Sequence, residues 1–319
     1  MRLLKLVPDN TNIQFLRWRW VAMGLSIALI VASVALVAVR GLNFGVDFAG
    51  GLMIEAGFER PVQLDDLRGE VNRLGAGEAS LQQFGGPNNI MIRLPLPPGD
   101  DEAVQREVAR IQAAVKSVHP DVSFRRVDTV SGKVSGELIQ TGAMAIGLAM
   151  IAIAIYIWFR FEWQFGIGAL FALFHDVALT IGFFALTQLE FNLNVVAAVL
   201  TIVGYSLNDT IVVYDRIREN LRKYRKMEIV PLLDLSVNET LSRTIVTSLS
   251  MIFALTALVL FGGEVIFGFS AAMLLGIVVG TFSSIYVSAP ILIWLGVGPD
   301  SFVPGDSVGP EGAERIARP

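Results

Sequence analysis

Residues 191–214 read FNLNVVAAVLTIVGYSLNDTIVVY, an apolar run in which Asp209 is the one charged side chain. About 20 apolar residues suffice for a helix to cross the hydrocarbon core of a bilayer. An ionisable side chain is costly in that environment, and it is typical of positions that face a protein partner or a water-filled path. The run therefore predicts a transmembrane helix that carries a functional carboxylate.

Five further apolar runs of similar length accompany this stretch, in a chain of 319 residues that is 53% hydrophobic. The six predicted spans cover residues 20–39, 138–159, 163–189, 191–214, 244–263 and 265–299. The first run is longer than the apolar core of a signal peptide, so we expect it to remain as a membrane anchor. Pro290 predicts a kink in the last span, and Gly276 and Gly280 predict its close packing on a neighbour. The chain is thus expected to be an α-helical polytopic membrane protein.

The distribution of Lys and Arg predicts its orientation. Basic residues gather in the arm of residues 1–19 and in a predicted loop at about 215–243, whereas the short loops at Glu190 and Glu264 contain none. The positive-inside rule then places both termini in the cytoplasm and residues 41–137 on the outer side. The basic loop predicts contact with membrane lipid, and the net charge of −4 does not favour nucleic acid. The tail of residues 299–319 is rich in Pro and Gly, and we expect it to be cytoplasmic and disordered.

Residues 41–137, between the first two spans, predict one soluble α+β domain. Strand-like runs at 52–58, 81–84, 90–94 and 122–127 alternate with helical apolar faces at 64–74 and 104–118. The order β-α-β-β-α-β is that of the ferredoxin-like fold, in which two helices cover one face of a four-stranded sheet. The other face, or a sheet edge, is expected either to hold an unfolded chain by strand addition or to dock on a partner subunit. Both alternatives stay open.

The segment that leads into this domain, residues 41–51, reads GLNFGVDFAGG. Its glycines permit positive φ angles and close backbone approach. The Gly-Lys-Ser/Thr sequence of a phosphate-binding loop is missing. The segment therefore predicts a tight structural junction, with Gly45, Asp47, Phe48, Gly50 and Gly51 as its characteristic residues.

Asp209 is the strongest candidate for a functional residue within the spans. It precedes Arg216 by seven residues, which places it about 10 Å from the cytoplasmic end of its helix at 1.5 Å per residue. Tyr205 and Ser206 stand four and three residues earlier and are expected to share its face. Burial and a nearby cation act on a carboxyl group in opposite directions, so its protonation can follow its surroundings. We interpret Asp209 as a proton-handling group, with a satisfied structural carboxylate as the alternative.

Three more charged residues are candidates. Arg243 opens the fifth span, where it either snorkels to the interface or approaches the level of Asp209. His175 and Asp176 lie near the middle of the third span; adjacent helical residues point about 100° apart, so the two need not pair with each other. They are candidates for a proton relay or for hydrogen bonds to neighbouring helices.

Residues 203–220, VGYSLNDTIVVYDRIREN, closely resemble the fourth-helix signature of SecF-type members of the SecD/SecF family. The segment ending in DFAGG resembles the first-loop signature of that family, and LSRT at 241–244 and GTFSSI at 280–285 resemble its fifth and sixth helices. The resemblance covers about residues 15–298. Its signature residues in the fourth helix are Gly204, Tyr205, Ser206, Asn208, Asp209, Thr210, Asp215 and Arg216.

The resemblance implies one six-helix half of a proton-driven transporter of the RND superfamily, with SecD as the other half of a heterodimer. It further implies association with the SecYEG channel and YajC in the bacterial inner membrane. There the pair is expected to use the proton-motive force to promote export of unfolded preproteins. The positions of Asp209 and Arg243 are those that the family implicates in proton passage.

Three other functions are alternatives to this one. Half of an RND-type small-solute or drug exporter is disfavoured because the outer domain is small, whereas a passive scaffold for the SecYEG channel is harder to exclude. An intramembrane enzyme is not expected: Tyr214-Asp215 matches half of an aspartyl protease motif, but the Gly-x-Gly-Asp partner and the His-Glu-x-x-His motif are missing. We expect no metal and no cofactor, and the lack of Cys excludes thiolate ligands.

Overall fold

The computed structural model describes residue 8 and residues 11–84 and 86–298. After a 3₁₀ turn, Phe15–Trp18, the elements are α1 Arg19–Arg40, α2 Val46–Ala49, β1 Gly51–Gly57, α3 Leu64–Asn72, β2 Ser80–Gln83, β3 Asn89–Leu94, α4 Asp101–Val118 and β4 Ser123–Val130. They continue with α5 Gly132–Arg160, α6 Trp163–Thr187, α7 Leu193–Lys223, α8 Ile229–Phe261, α9 Glu264–Ser283, a π-helical turn Ser284–Ser288 and α10 Ala289–Trp294. Within this part of the chain, six helical segments are long and apolar enough to span a membrane, which confirms the six predicted spans.

The predicted ferredoxin-like domain is confirmed. Its four strands form an antiparallel sheet in the order β2-β3-β1-β4. Apolar residues at alternate strand positions, such as Leu52 and Ile54, meet the apolar stripes of α3 and α4, such as Leu67 and Ile111, in one buried core. Asp100 begins α4 by accepting a hydrogen bond from the Ala103 amide (3.0 Å), so the helix starts where the acidic residues of the sequence stand.

The second face of this sheet is less free than the sequence suggests. Met53 and Glu55 of β1 point away from the helices, yet only 1% and 6% of their surface is exposed. Met53 and Met91 pack with Val46 of α2. The centre of the second sheet face is therefore covered by the chain's own junction with the bundle, and β2 and β4 are the two edge strands of the sheet.

The predicted basic loop at 215–243 is mostly helical. Helix α7 continues to Lys223 and α8 begins at Ile229, so residues 224–228 are the connection. Arg216 pairs with Glu239 (2.7 Å), and Asn220 donates to Glu239 (2.7 Å) and to Ser236 (3.0 Å). Hydropathy predicts where a helix leaves the membrane. Both helices continue beyond that point, and these polar contacts between them stabilise the extension.

The N-terminal arm packs along the extended part of α8. Asn238 exchanges two hydrogen bonds with the backbone of Ile13 (2.9 and 2.8 Å), and Asp234 accepts from the Leu16 amide (2.9 Å). The basic residues at positions 2 and 5 and the tail of residues 299–319 lie outside the described residues.

Close helix packing occurs where the glycines predict it. A Cβ atom at Gly276 would collide with Ile202 of α7, and one at Gly280 would lie 3.1 Å from the Cβ of Ser206. The kink predicted at Pro290 takes the form of the π-helical turn that precedes α10, whose first turn contains the proline. The π turn places Ser284 and Ser288 on the buried side of the bundle.

Candidate functional site

Asp209 joins three helical elements. Its Oδ1 accepts a hydrogen bond from Thr244 Oγ1 of α8 (2.6 Å), and its Oδ2 accepts one from Ser284 Oγ of the π turn (2.7 Å). Asp209 is half-buried, so part of the residue is exposed at the surface of the bundle, and we call this exposed part its open flank. The residue thus has two hydroxyl donors and remains partly exposed.

Arg243 stands beside this carboxylate without binding it. Its side chain is exposed, and it forms no ion pair with any residue that the structure describes. Arg243 directly precedes Thr244, which donates to Asp209, so its positive charge lies near the carboxylate. The exposed guanidinium therefore remains available to a partner on the open side of Asp209.

A second carboxylate, Asp176 of α6, lies inside the bundle and is completely buried. Its Oδ2 accepts hydrogen bonds from Ser206 Oγ of α7 (2.5 Å) and Ser283 Oγ of α9 (2.8 Å). Its Oδ1 is 2.9 Å from His175 Nδ1, so the adjacent His and Asp do pair with each other and Asp176 also bonds to neighbouring helices. His175 Nε2 has no hydrogen-bond partner among the described residues.

The two carboxylates are linked through neighbouring residues. Ser283 donates to Asp176 and the next residue, Ser284, donates to Asp209. Ser206, which was expected to share the face of Asp209, serves Asp176 instead. The result is one polar band across α6, α7, α8 and α9 inside an otherwise apolar bundle.

The other fourth-helix signature residues fall into three groups. Tyr205 contacts Ser248 (3.5 Å), whose hydroxyl meets Thr281 (2.7 Å), and Thr210 is buried. Gly204 and Asn208 lie on the exposed surface. At the end of the apolar run, Asp215 binds Arg160 (2.7 and 2.9 Å), and Arg216 binds Glu239 as described above.

Sequence reasoning missed the hydroxyl partners of both carboxylates. Thr244, Ser283 and Ser284 lie within the segments that resemble the fifth and sixth helices of the family, and the sequence pattern alone gives them no role. Their signal is a hydroxyl side chain within a membrane span, where its hydrogen must find an acceptor in the protein. Which acceptor it finds depends on the rotation of each helix, and this is visible only in the structure.

The junction residues lie at the end of the bundle that carries the soluble domain. Asp47 Oδ2 accepts a hydrogen bond from the amide of Leu193, the first residue of α7 (3.0 Å), and Phe48 is buried. Gly51 has a φ of 113°, and a Cβ atom there would lie 2.7 Å from the Leu94 carbonyl oxygen. Among the described residues, no group of three or more His, Asp or Glu side chains is placed to hold a metal ion.

Comparison with known proteins agrees with these features. The family model described as "Protein export membrane protein SecD/SecF, C-terminal" matches residues 110–298, and the "SecD/SecF GG Motif" matches residues 35–62. Protein translocase subunit SecF of Rickettsia akari is 46% identical over 290 residues, covering 91% of this chain and 94% of the relative. The subunit of the same name from Vibrio alginolyticus is 43% identical over 313 residues, covering 98% of each chain.

Solved structures show the same relationship. SecDF from Thermus thermophilus, described as a translocon-associated membrane protein, has a TM-score of 0.82 and 33% identity. The match covers 90% of this chain but 39% of that longer chain. SecDF in a super-membrane-facing form gives a TM-score of 0.64 at 32% identity, with the same coverage. The chain therefore belongs to the SecD/SecF family of protein export membrane proteins, and within it to the SecF-type translocase subunits.

Proposed function

We propose that the protein uses the proton-motive force, as the SecF subunit of a SecD/SecF complex, to promote the export of unfolded preproteins across the bacterial inner membrane. The proposal includes attachment to the SecYEG channel and YajC and a cytoplasmic location for both termini. One observation carries it: Asp209, a carboxylate inside the membrane bundle, joins three helical elements and is open on one side.

The hydrogen bonds of Asp209 give protonation a mechanical effect. As a carboxylate it only accepts hydrogen bonds, and charge-assisted bonds from the Thr244 and Ser284 hydroxyls hold α8 and the π turn against α7. Once protonated, the group loses its charge and becomes a donor at one oxygen, so at least one of these bonds must weaken or reverse. Uptake and release of a proton therefore alter the contact among three helices.

The exposed surface around Asp209 supports a binding site for the SecD half at this position. Small and polar residues recur along one face of α7 and one face of α8, and all of them are exposed in this chain: Ala197, Thr201, Gly204 and Asn208, then Arg243, Thr247, Ser250 and Ala254. Polar and charged side chains are costly against lipid, and small side chains favour close helix packing. We infer that the helices of SecD cover these two stripes and close the open flank of Asp209, with Arg243 at the interface.

The decisive experiment measures preprotein export into membrane vesicles with and without a proton gradient. Asp209→Asn removes the titrating group but keeps the size of the side chain and most of its polar contacts. We expect gradient-stimulated export to be lost, with normal insertion and retention of SecD. Asp215→Asn is the matched control, because it changes another carboxylate of α7 that is engaged in an ion pair outside the apolar run.

Normal gradient-stimulated export by the Asp209→Asn variant would contradict the proposal. That result would favour the passive scaffold, in which the chain supports the channel without handling protons. A small solute moved by the vesicles in place of preprotein would favour the exporter alternative.

A further inference from the structure

The soluble domain is attached to the bundle by more than its two chain connections. Residues 43–48 lie against residues 188–192, the loop between α6 and α7. Phe191 N donates to Asn43 O (2.8 Å), and Gly45 N donates to Phe191 O (2.9 Å). Phe44 and Phe191 form a parallel β-bridge, and their rings meet edge to face at 6.1 Å. The two segments are therefore bonded like a pair of short strands.

Arg93 extends this attachment to the sheet. It belongs to β3, and its Nη1 donates to Asn43 Oδ1 (2.9 Å) and to the Phe44 carbonyl (3.0 Å). Its Nη2 lies 3.3 Å from Glu190 Oε2, and both side chains are more than four-fifths buried. A Cβ atom at Gly45 would collide with the Glu190 carboxylate, so only glycine lets that carboxylate lie against the backbone. One guanidinium thus ties together the sheet, the junction and the α6–α7 loop.

Asp47 carries the attachment into the membrane helix. Its carboxylate accepts from the Leu193 amide at the start of α7, while Asn192 caps the same turn at Val195 (3.3 Å). Acidic side chains stabilise a helix at this end because the amides of the first turn have no partners within the helix. Asp209 lies on the same helix, about 24 Å further along at 1.5 Å per residue.

We propose that residues 43–48, Arg93 and the loop of residues 188–192 form a clamp that makes the soluble domain and the α6–α7 hairpin move as one body. The inference rests on the proposed function, since it assigns the route by which a change at Asp209 reaches the soluble domain. A displacement of α7 is then passed through Asp47 and the clamp to the soluble domain.

The test exploits the absence of Cys from the chain. Phe44→Cys with Phe191→Cys places two thiols on paired strand residues, whose Cα separation suits a disulfide. This double variant is the reference, and Arg93→Gln with Asp47→Ala is added to it to weaken the clamp. Gradient-stimulated export is measured in vesicles under reducing and oxidising conditions, with disulfide formation followed by gel mobility. Arg68→Gln is the matched control, since Arg68 makes an exposed ion pair with Asp65 on the same domain.

When reduced, the weakened chain should export about tenfold less than the reference, a size typical of coupling between two sites. Oxidation should restore export, because the disulfide replaces the lost contacts. Export by the reference itself should be the same in both redox states. Loss of export when the reference is oxidised would overturn the proposal, since the clamp would then have to open during the cycle. Full export by the reduced, weakened chain would also overturn it. The same holds if the weakened chain does not recover export after the disulfide forms. If the wild type shows no gradient stimulation at all, the proposed function fails, and the clamp loses its role with it.

Discussion

Asp176 and Asp209 lie in the same bundle, and they differ in burial and in the number of hydrogen bonds that they accept. Asp176 is sealed: two serines and His175 satisfy it, and none of its surface is exposed. Asp209 has two donors and an open flank beside an exposed arginine. A fully satisfied carboxylate holds helices together, whereas a partly satisfied one can change its state when its neighbours move.

The largest expected effect comes from exchanging the two carboxylates for amides. Asp176→Asn should destabilise the bundle by roughly 2–4 kcal/mol, because one amide group cannot accept all the hydrogen bonds that three buried donors offer. Thermal unfolding in detergent should show this as a clear loss for Asp176→Asn and little change for Asp209→Asn. If Asp176→Asn is as stable as the wild type but loses gradient-stimulated export, His175 and Asp176 are part of the proton path and the comparison fails.

Arg243 tests the open side of Asp209. Arg243→Ala should lower gradient-stimulated export by about tenfold, corresponding to roughly 1.4 kcal/mol, and should leave unfolding unchanged because the side chain is exposed. Arg243→Lys should retain most of the export, since no described residue uses the fork of the guanidinium. An inactive lysine variant with normal assembly would instead show that a planar, bidentate contact with the partner is required.

Replacing the adjacent Ser283 and Ser284 tests the comparison of Asp176 with Asp209 with a smaller loss of stability. Ser283→Ala removes a donor from Asp176 and should lower stability by about 1 kcal/mol, with normal export per folded molecule. Ser284→Ala removes a donor from Asp209 and should lower export several-fold, with little change in unfolding. Each variant is the control for the other, and identical behaviour of the two would show that the carboxylates act as one unit.

The smallest expected effect is on the pH dependence of stability and comes from Glu190. This carboxyl group lies outside the membrane spans and serves as a reference for Asp176 and Asp209. Burial raises the pKa of the Glu190 carboxyl, and Asp47 adds to this, while Arg93 and Arg126 oppose it. Because the folded protein then holds the proton more tightly than the unfolded chain, the stability from Glu190 is full below its ordinary pKa and is lost as pH rises through the raised value.

Glu190→Gln should flatten this part of the pH dependence by an amount on the order of 1 kcal/mol or less. The measurement is protease resistance of the soluble domain at pH 5 and pH 8, in wild type and variant. A wild type that becomes more resistant as pH rises would contradict the prediction, because ionisation would then strengthen the pairing with Arg93.

The fold was largely predictable because its signals are local. Continuous apolar runs give the spans, and alternation in residues 52–58 or a 3.6-residue period in residues 104–118 gives the soluble domain. Asp209 could be singled out for the same reason, since it is the one charge in such a run, and its proton-handling role stays a prediction. The helical extension of α7 and α8 was not, because Arg216, Asn220 and Glu239 form a polar contact between distant positions that no local pattern reveals.

The arrangement around the two carboxylates also could not be predicted from the sequence. Adjacent residues on a helix do not normally face each other, so the bond between His175 and Asp176 depends on side-chain rotation within a packed site. The assignment of Ser283 to Asp176 and of Ser284 to Asp209 depends on how α9 ends. A regular helix and a π turn place the same serines in different directions.

The π turn of residues 284–288 determines how far α10 is rotated about the helix axis relative to α9. A turn of this kind holds one residue more than an α-helical turn, so α10 is rotated relative to α9 by about 100°. Deleting a single residue there would restore an unbroken helix, and Ser288, whose carbonyl receives the Tyr214 hydroxyl (3.2 Å), would lose its registration with α7. Sequence length in this five-residue stretch is consequently as constrained as residue identity, and one-residue deletions should be tolerated less well here than substitutions of Ile285 or Tyr286.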